Sequence, residues 1–151
     1  MDQFPLVDER TRAMLPSQSL RRETTLLIDP CYDDPENYFS YDIEGQIYAL
    51  DVNPYGTKTI EICHLNRSRL KSARKERLDV AVDIIKSIQK FVRSGNVAAA
   101  RAFERLFRRR LMADGCPYAA VARAVRRDPE AFGVKLRGRV FPRAKRRLAH
   151  E

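Results

Sequence analysis

One apolar stripe near the middle of the sequence constrains the fold more than any other feature. Its members recur at alternating steps of three and four residues, and they are Leu78, Ala81, Ile85, Ile88 and Val92. That spacing places them on one face of an α-helix. Asn66 predicts where the helix begins, because its side-chain oxygen can accept from the N–H groups of a first turn. Gly95 predicts where it ends, since glycine readily adopts a left-handed conformation.

Further helices are predicted before and after this long one. Before Asn66, Thr57 or Thr59 is expected to cap a short turn carrying Ile60 and Cys63, which makes Leu65 part of a corner between two helices. After Gly95, Asn96 is expected to cap a second helix. Its apolar face would comprise Val97, Ala100, Phe103, Leu106, Phe107 and Leu111.

A third helix is predicted from Pro117 to about Arg127, ended by Pro129. Its inward residues would be Tyr118, Val121, Ala122 and Val125. Val134, Leu136 and Val140-Phe141 suggest either a short strand or disorder in the last segment.

The N-terminal part of the chain lacks helical periodicity. Residues 1–25 contain Pro5 and Pro16 and predict an extended arm that must pack on something. Leu26-Leu27-Ile28 predicts a brief buried strand, and Pro35 can start a helical turn. The stretches 38–42 and 46–50 flank Gly45, which indicates a small β-hairpin.

These elements together predict an α+β protein that is mostly α-helical. We expect an arm, turn and hairpin over residues 1–56, a three-helix region over 57–128 and a basic tail over 129–151.

Charge is distributed unevenly along the chain. Residues 1–65 hold five basic and twelve acidic residues, a balance of −7, whereas residues 66–151 hold 24 and eight, a balance of +16. The positive electrostatic field of residues 66–151 attracts polyanions, most often nucleic acid. The predicted nucleic-acid-binding residues are Arg108, Arg109, Arg110, Arg123, Arg126, Arg127, Lys135, Arg137, Arg139, Arg143, Lys145, Arg146 and Arg147.

The arginine clusters allow other interpretations. A guanidinium donates two hydrogen bonds to one phosphate, which favours a nucleic-acid surface. The alternatives are a solvated helix face with a solubilising tail, or docking on an acidic partner protein. The second and third helices also have the lengths of a helix-turn-helix, but an ordinary helical hairpin is the favoured interpretation.

No metal centre or catalytic constellation emerges from the sequence. Cys31, Cys63 and Cys116 stand far apart, and no signal peptide or long apolar run is present, so a reduced cytoplasmic protein that does not enter membranes is expected. At Cys63-His64 the favoured interpretation is a buried cysteine beside an exposed histidine.

A group of carboxylates is the one candidate for a divalent cation. Its members are Asp29, Asp33, Asp34 and Glu36. Magnesium is one use for such a group, but capping of turns beside proline is the favoured one. No cofactor is predicted for this chain.

From Phe4 to Arg74 the order of short motifs resembles a known family. The motifs are Phe4-Pro5-Leu6, Arg12-Ala13, Leu27-Ile28-Asp29-Pro30, Asp33-Asp34-Pro35-Glu36, Phe39, Gly45, Thr59-Ile60, Leu65-Asn66-Arg67, Leu70 and Arg74. Their order is similar to the downstream half of bacterial HNH endonucleases that accompany ATPases in anti-phage defence, including retron-associated and Septu-type nucleases. Residues 117–124 are similar to a C-terminal helix of the same proteins.

The resemblance implies a nuclease scaffold without its reactive centre. In that family the catalytic histidine, a bracing asparagine, a metal ligand and the paired zinc cysteines precede the Phe-Pro-Leu motif, so no catalytic residue carries over to this chain. The family uses a divalent metal and often a structural zinc. We therefore expect a truncated, split or mis-started member that contacts DNA or an ATPase partner. The alternatives are a free-standing basic nucleic-acid-binding protein and an interaction subunit.

Overall fold

The computed structural model describes residues 5–50 and 54–136. Two compact units emerge from the contacts within the chain. Of the described residues, the first unit comprises 5–41, 46–50 and 54–71, and the second comprises 42–45 and 72–136. The α+β class is confirmed, with a two-stranded sheet and four α-helices among the described residues.

The first unit is built on a β-hairpin and one helix. Strand β1 (Phe39–Tyr41) pairs antiparallel with β2 (Ile47–Ala49), and helix α1 (Pro54–Ile62) follows. Ile28, Phe39 and Ile47 form the buried core of this unit. Partly buried side chains packed against it are Tyr38, Tyr41, Tyr55, Ile60 and Leu65. The predicted hairpin is therefore confirmed, and Gly45 has the expected positive φ of 75°.

The two ends of the arm pair with each other, and in its middle the N–H of Ala13 donates to the Glu23 carboxylate over 2.7 Å. Leu6 forms an isolated antiparallel bridge with Thr25, and the N–H of Val7 donates to the carbonyl of Thr24 over 2.8 Å. Between these ends lie two one-turn 3₁₀ helices, Glu9–Thr11 and Leu20–Arg22. The predicted strand at residues 26–28 is wrong, because no ladder forms there.

Thr59 links the end of that segment to α1. Ile28 is buried, and its N–H donates to the Thr59 hydroxyl over 3.0 Å. The expectation that Thr57 or Thr59 begins a short turn is therefore wrong. Helix α1 starts earlier, with Pro54 in its first turn, where a missing N–H costs nothing.

Helix α2 (Ser68–Arg93) carries the apolar stripe as predicted. Leu78, Ala81, Ile85 and Ile88 are buried, while Val92 is half-buried. Gly95 follows the helix with a φ of 72°, which confirms the predicted stop. The start is displaced: Asn66 lies two residues before the helix, and its side chain bonds to a strand instead of capping the first turn.

Two shorter helices complete the second unit. Asn96 caps α3 (Val97–Phe107) as predicted, its side-chain oxygen accepting from the N–H of Ala99 over 3.0 Å. A single π-helical turn over Arg108–Met112 prolongs α3. The rings of Phe91 and Phe103 lie 5.1 Å apart and join α2 to α3.

Helix α4 (Ala119–Arg127) buries Val121, Ala122 and Val125 as predicted. Tyr118 was expected inward, and this is wrong. The residue precedes the helix with a φ of 54° and its side chain is exposed, because the left-handed backbone turns it away from the buried face.

The segment after α4 packs onto the second unit as far as it is described. Phe132 and Val134 are buried, and the Gln89 side chain donates to the carbonyl of Lys135 over 2.9 Å. Residues 134–136 form no strand. Val140-Phe141 lie outside the described residues, as does Phe4 at the other end. No helix within 5–50 and 54–136 has the length and apolarity needed to cross a bilayer.

Replacing Phe107 by alanine should lower the free energy of unfolding by about 3–5 kcal/mol, because a fully buried ring is lost. Leu106 is the matched control, since it is the neighbouring residue and 46% exposed. Leu106→Ala should cost at most about 1 kcal/mol. Urea unfolding followed by circular dichroism measures both changes, and equal losses would contradict the orientation of α3.

Candidate functional site

Asn66 binds the hairpin through both halves of its side-chain amide. Its Oδ1 accepts from the N–H of Ile47 over 2.9 Å, and its Nδ2 donates to the carbonyl of the same residue over 2.9 Å. Leu50 donates to the carbonyl of Tyr38, so the alternation of an antiparallel ladder turns the backbone groups of Ile47 away from β1. A side-chain amide supplies both the acceptor for the N–H of Ile47 and the donor for its carbonyl.

The turn of the hairpin is held by a buried arginine. Arg74 is only 5% exposed, and its Nε donates to the carbonyl of Gly45 over 2.7 Å. Both residues belong to the second unit. Arg67 donates to the carbonyl of Cys63 over 3.3 Å and so braces the corner between α1 and α2. Asn66, Arg67 and Arg74, which are three of the residues that carried the family resemblance, thus bind backbone groups.

The carboxylates at residues 29–36 cap turns, as the favoured interpretation predicted. Asp29 accepts from the N–H of Cys31 over 2.9 Å, and Asp33 accepts from the N–H of Asp29 over 2.9 Å. Asp34 caps the 3₁₀ helix Pro35–Asn37 by accepting from the N–H of Glu36 over 3.0 Å. No cluster of three potential metal ligands occurs among the described residues.

The expectation of a buried Cys63 is wrong. Cys63 and His64 are both exposed, because they lie in the corner after α1, where His64 takes a φ of 47°. Two half-buried residues elsewhere, Asp8 and Lys75, have displaced pKa values. A side-chain hydrogen bond from Arg10 lowers the pKa of Asp8, and one with Asp79 raises the pKa of Lys75.

Three of the predicted nucleic-acid-binding arginines make bonds inside the second unit. Arg108 and Arg126 both donate to Oε1 of Glu104, over 2.9 and 3.1 Å. Arg123 donates to the carbonyl of Met112 over 2.7 Å and to Asp114 over 3.2 Å. These contacts join α4 to the end of α3.

Arg109 and Arg110 lie on a different surface, together with Arg105. These three line an open cavity of about 570 Å³ with Ala102 and Leu106, which we call the arginine face. Sequence reasoning missed Arg105, although its four-residue spacing from Arg109 places both on one side of a helix. Arg127 and Lys135 are exposed and do not line this cavity.

The remaining predicted members of the basic set lie outside the described residues. They are Arg137, Arg139, Arg143, Lys145, Arg146 and Arg147. Their assignment stays a prediction, as does that of the whole set.

Two curated proteins, both from Bacillus mycoides (strain KBAB4), share sequence with this chain. It is 34% identical to Septu protein PtuB over 87 residues, which cover 57% of this chain and 28% of PtuB. It is 32% identical to Septu protein PtuA over 75 residues, which cover 50% of this chain and 10% of PtuA. No protein-family model and no solved structure matches the chain.

These similarities confirm the Septu part of the predicted resemblance. Each match covers less than a third of the relative. The HNH and retron parts of the resemblance stay predictions.

Asn66→Ala should lower the free energy of unfolding by about 1–3 kcal/mol, because both backbone groups of Ile47 lose their partner. Asn37→Ala is the control, since Asn37 is exposed in a 3₁₀ helix, and its effect should stay within about 0.5 kcal/mol. Thermal and urea unfolding of both variants test the difference. A silent Asn66→Ala variant would show that the amide does not hold the hairpin.

Proposed function

We propose that this chain is the accessory half of an HNH-family DNA endonuclease in a Septu-type anti-phage defence system. It acts in the cytoplasm, contacts DNA or a partner protein, and contributes no catalytic residue. The divalent metal and the zinc of the parent family are held by another part of the nuclease. A retron-associated role and an ATPase partner are further proposals that rest on the family resemblance.

The apolar surface of the arm carries this proposal. Val7, Met14, Leu15 and Leu20 are 55, 75, 60 and 68% exposed. Soluble proteins seldom leave so many large apolar side chains exposed in one short segment, because burying them releases roughly 25 cal/mol per Å². These four exposed side chains therefore give the arm the character of a segment that packs on another protein surface.

The contacts of the motif residues support an architectural role. Thr59, Asn66 and Arg74 each bind a backbone group, at Ile28, Ile47 and Gly45. These three side chains therefore hold the backbone of this chain in place. The similarity to PtuB and PtuA supports the assignment to a Septu-type system.

A free-standing nucleic-acid-binding protein is the second candidate function. The arginine face favours it, since Arg105, Arg109 and Arg110 belong to one unit and need no companion protein to face a polyanion. This candidate does not account for the exposed arm.

A chimera tests the accessory role directly. The matched 87-residue segment of Bacillus mycoides PtuB is replaced by the corresponding segment of this chain, and phage protection is compared with intact PtuB in cells that also express PtuA. We expect the chimera to protect, whereas a chimera that also carries Asn66→Ala and Arg74→Met should protect at least tenfold less. A soluble chimera without protection would contradict the proposal.

The purified chain should leave supercoiled plasmid DNA intact in the presence of Mg²⁺ or Mn²⁺. The physical reason is that a metal-dependent nuclease requires an ion and a base, and this chain is proposed to supply neither. Agarose electrophoresis with and without EDTA makes the measurement. A variant with Arg105, Arg109 and Arg110 changed to glutamine, purified in parallel, reveals any contaminating nuclease. EDTA-sensitive cleavage by the unchanged chain alone would overturn the proposal.

A further inference from the structure

The geometry points to the arginine face as the surface that binds the phosphate backbone of duplex DNA, through Arg105, Arg109 and Arg110. This inference deepens the proposed function by naming the DNA-contacting surface. It takes Arg109 and Arg110 from the basic set predicted from sequence, and it adds Arg105, which that prediction had missed.

Near the end of α3, side chains four residues apart lie above one another on the helix surface and form four columns. Glu104 pairs with Arg108 in one column, and Phe107 and Leu111 are buried in another. Arg105 and Arg109 form the third column, and Leu106 and Arg110 form the fourth. The third and fourth columns together line the cavity.

Among the described residues, no carboxylate lines the cavity. Ala102, Arg105, Leu106, Arg109 and Arg110 provide three guanidinium groups and two small apolar surfaces. Glu104 is the nearest acid in sequence, and Arg108 and Arg126 already donate to it. Three positive charges around one cavity form a surface that attracts an anion.

The backbone beneath these arginines is held in place. The last carbonyls of a helix lack partners within the helix. Here Arg77 donates to the carbonyl of Arg110 over 3.4 Å, and the Cys116 thiol lies 3.7 Å from the carbonyl of Arg109. Arg123 donates to the carbonyl of Met112 over 2.7 Å. Fixing the backbone lowers the ordering cost when the exposed side chains bind a ligand.

The chemistry of the lining favours a duplex over a single strand. Proteins that hold single strands stack the bases on aromatic side chains, whereas the lining residues that the structure describes include no aromatic ring. Arginine binds phosphate through two parallel hydrogen bonds, which is the contact that a regular duplex backbone repeats. The balance of +16 over residues 66–151 also suits a long polyanion better than a short acidic peptide.

Fluorescence anisotropy with a labelled 25-base-pair DNA duplex tests the inference. The variant with Arg105, Arg109 and Arg110 changed to glutamine should bind at least about tenfold more weakly at 100 mM salt. Its plot of log affinity against log salt should be shallower by about two to three, since each lost phosphate contact removes about 0.9 from the slope.

The matched control changes Lys86, Lys90 and Arg93 to glutamine. These residues are exposed near the end of α2, so the control removes the same number of charges from the same unit. Its affinity should stay within about threefold of the unchanged chain. Circular dichroism and thermal unfolding establish that both variants fold, which exposed substitutions should allow.

Three results would overturn the inference. The first is equal loss of affinity in the two variants. The second is binding of the single strand as tightly as the duplex through the same three arginines. The third is tighter binding of a labelled polyglutamate, which would assign the face to an acidic protein.

The chimera experiment separates this inference from the proposed function. If the chimera protects cells while the arginine variant binds the duplex normally, only the inference fails. If the arginine variant loses binding while the chimera gives no protection, the accessory role fails and the DNA-binding face remains.

Discussion

The paired hydrogen bonds between Asn66 and Ile47 are the contact on which the first unit depends. They join two positions 19 residues apart in sequence and fix β2 against the corner that follows α1. A two-stranded hairpin is marginal by itself in water, because it buries little apolar surface for the chain entropy it loses. The amide and the small core of Ile28, Phe39 and Ile47 together make this short hairpin a defined structure.

Side chains also bind backbone groups in the second unit, where arginines do so. Some of these arginines stabilise the fold. Arg74 donates to the carbonyl of Gly45, Arg77 to that of Arg110 and Arg123 to that of Met112. In each case a guanidinium satisfies a backbone carbonyl that has no partner in a helix or sheet. Composition alone cannot separate these arginines from the ones available to a polyanion, since both kinds contribute equally to the net charge.

The helices were predictable from sequence because their signals are local. The stripe from Leu78 to Ile88, the stop at Gly95 and the cap at Asn96 each depend on residues a few positions apart. The roles of Asn66 and Thr59 were not predictable in this way. Both are good capping residues by type. However, their side chains bond to backbone groups of Ile47 and Ile28, which lie 19 and 31 residues away in sequence.

The candidate site was only partly predictable for the same reason. The sequence located Arg109 and Arg110, while the engagement of Arg123 and Arg126 depended on where α4 packs. Arg105 was missed because the prediction considered only arginines that are consecutive in sequence. Arg105 lies one helical turn before Arg109. Cys63 was misjudged because a cysteine's burial depends on whether the residue falls in a helix or in the corner after it.

The amide of Asn66 has one more consequence, at the outer edge of the sheet. A short hairpin offers the unpaired N–H and C=O groups of its last strand to any extended chain nearby, which invites intermolecular sheet growth. At Ile47 a side chain already occupies both groups. The same contact that positions the hairpin therefore also guards this strand against aggregation.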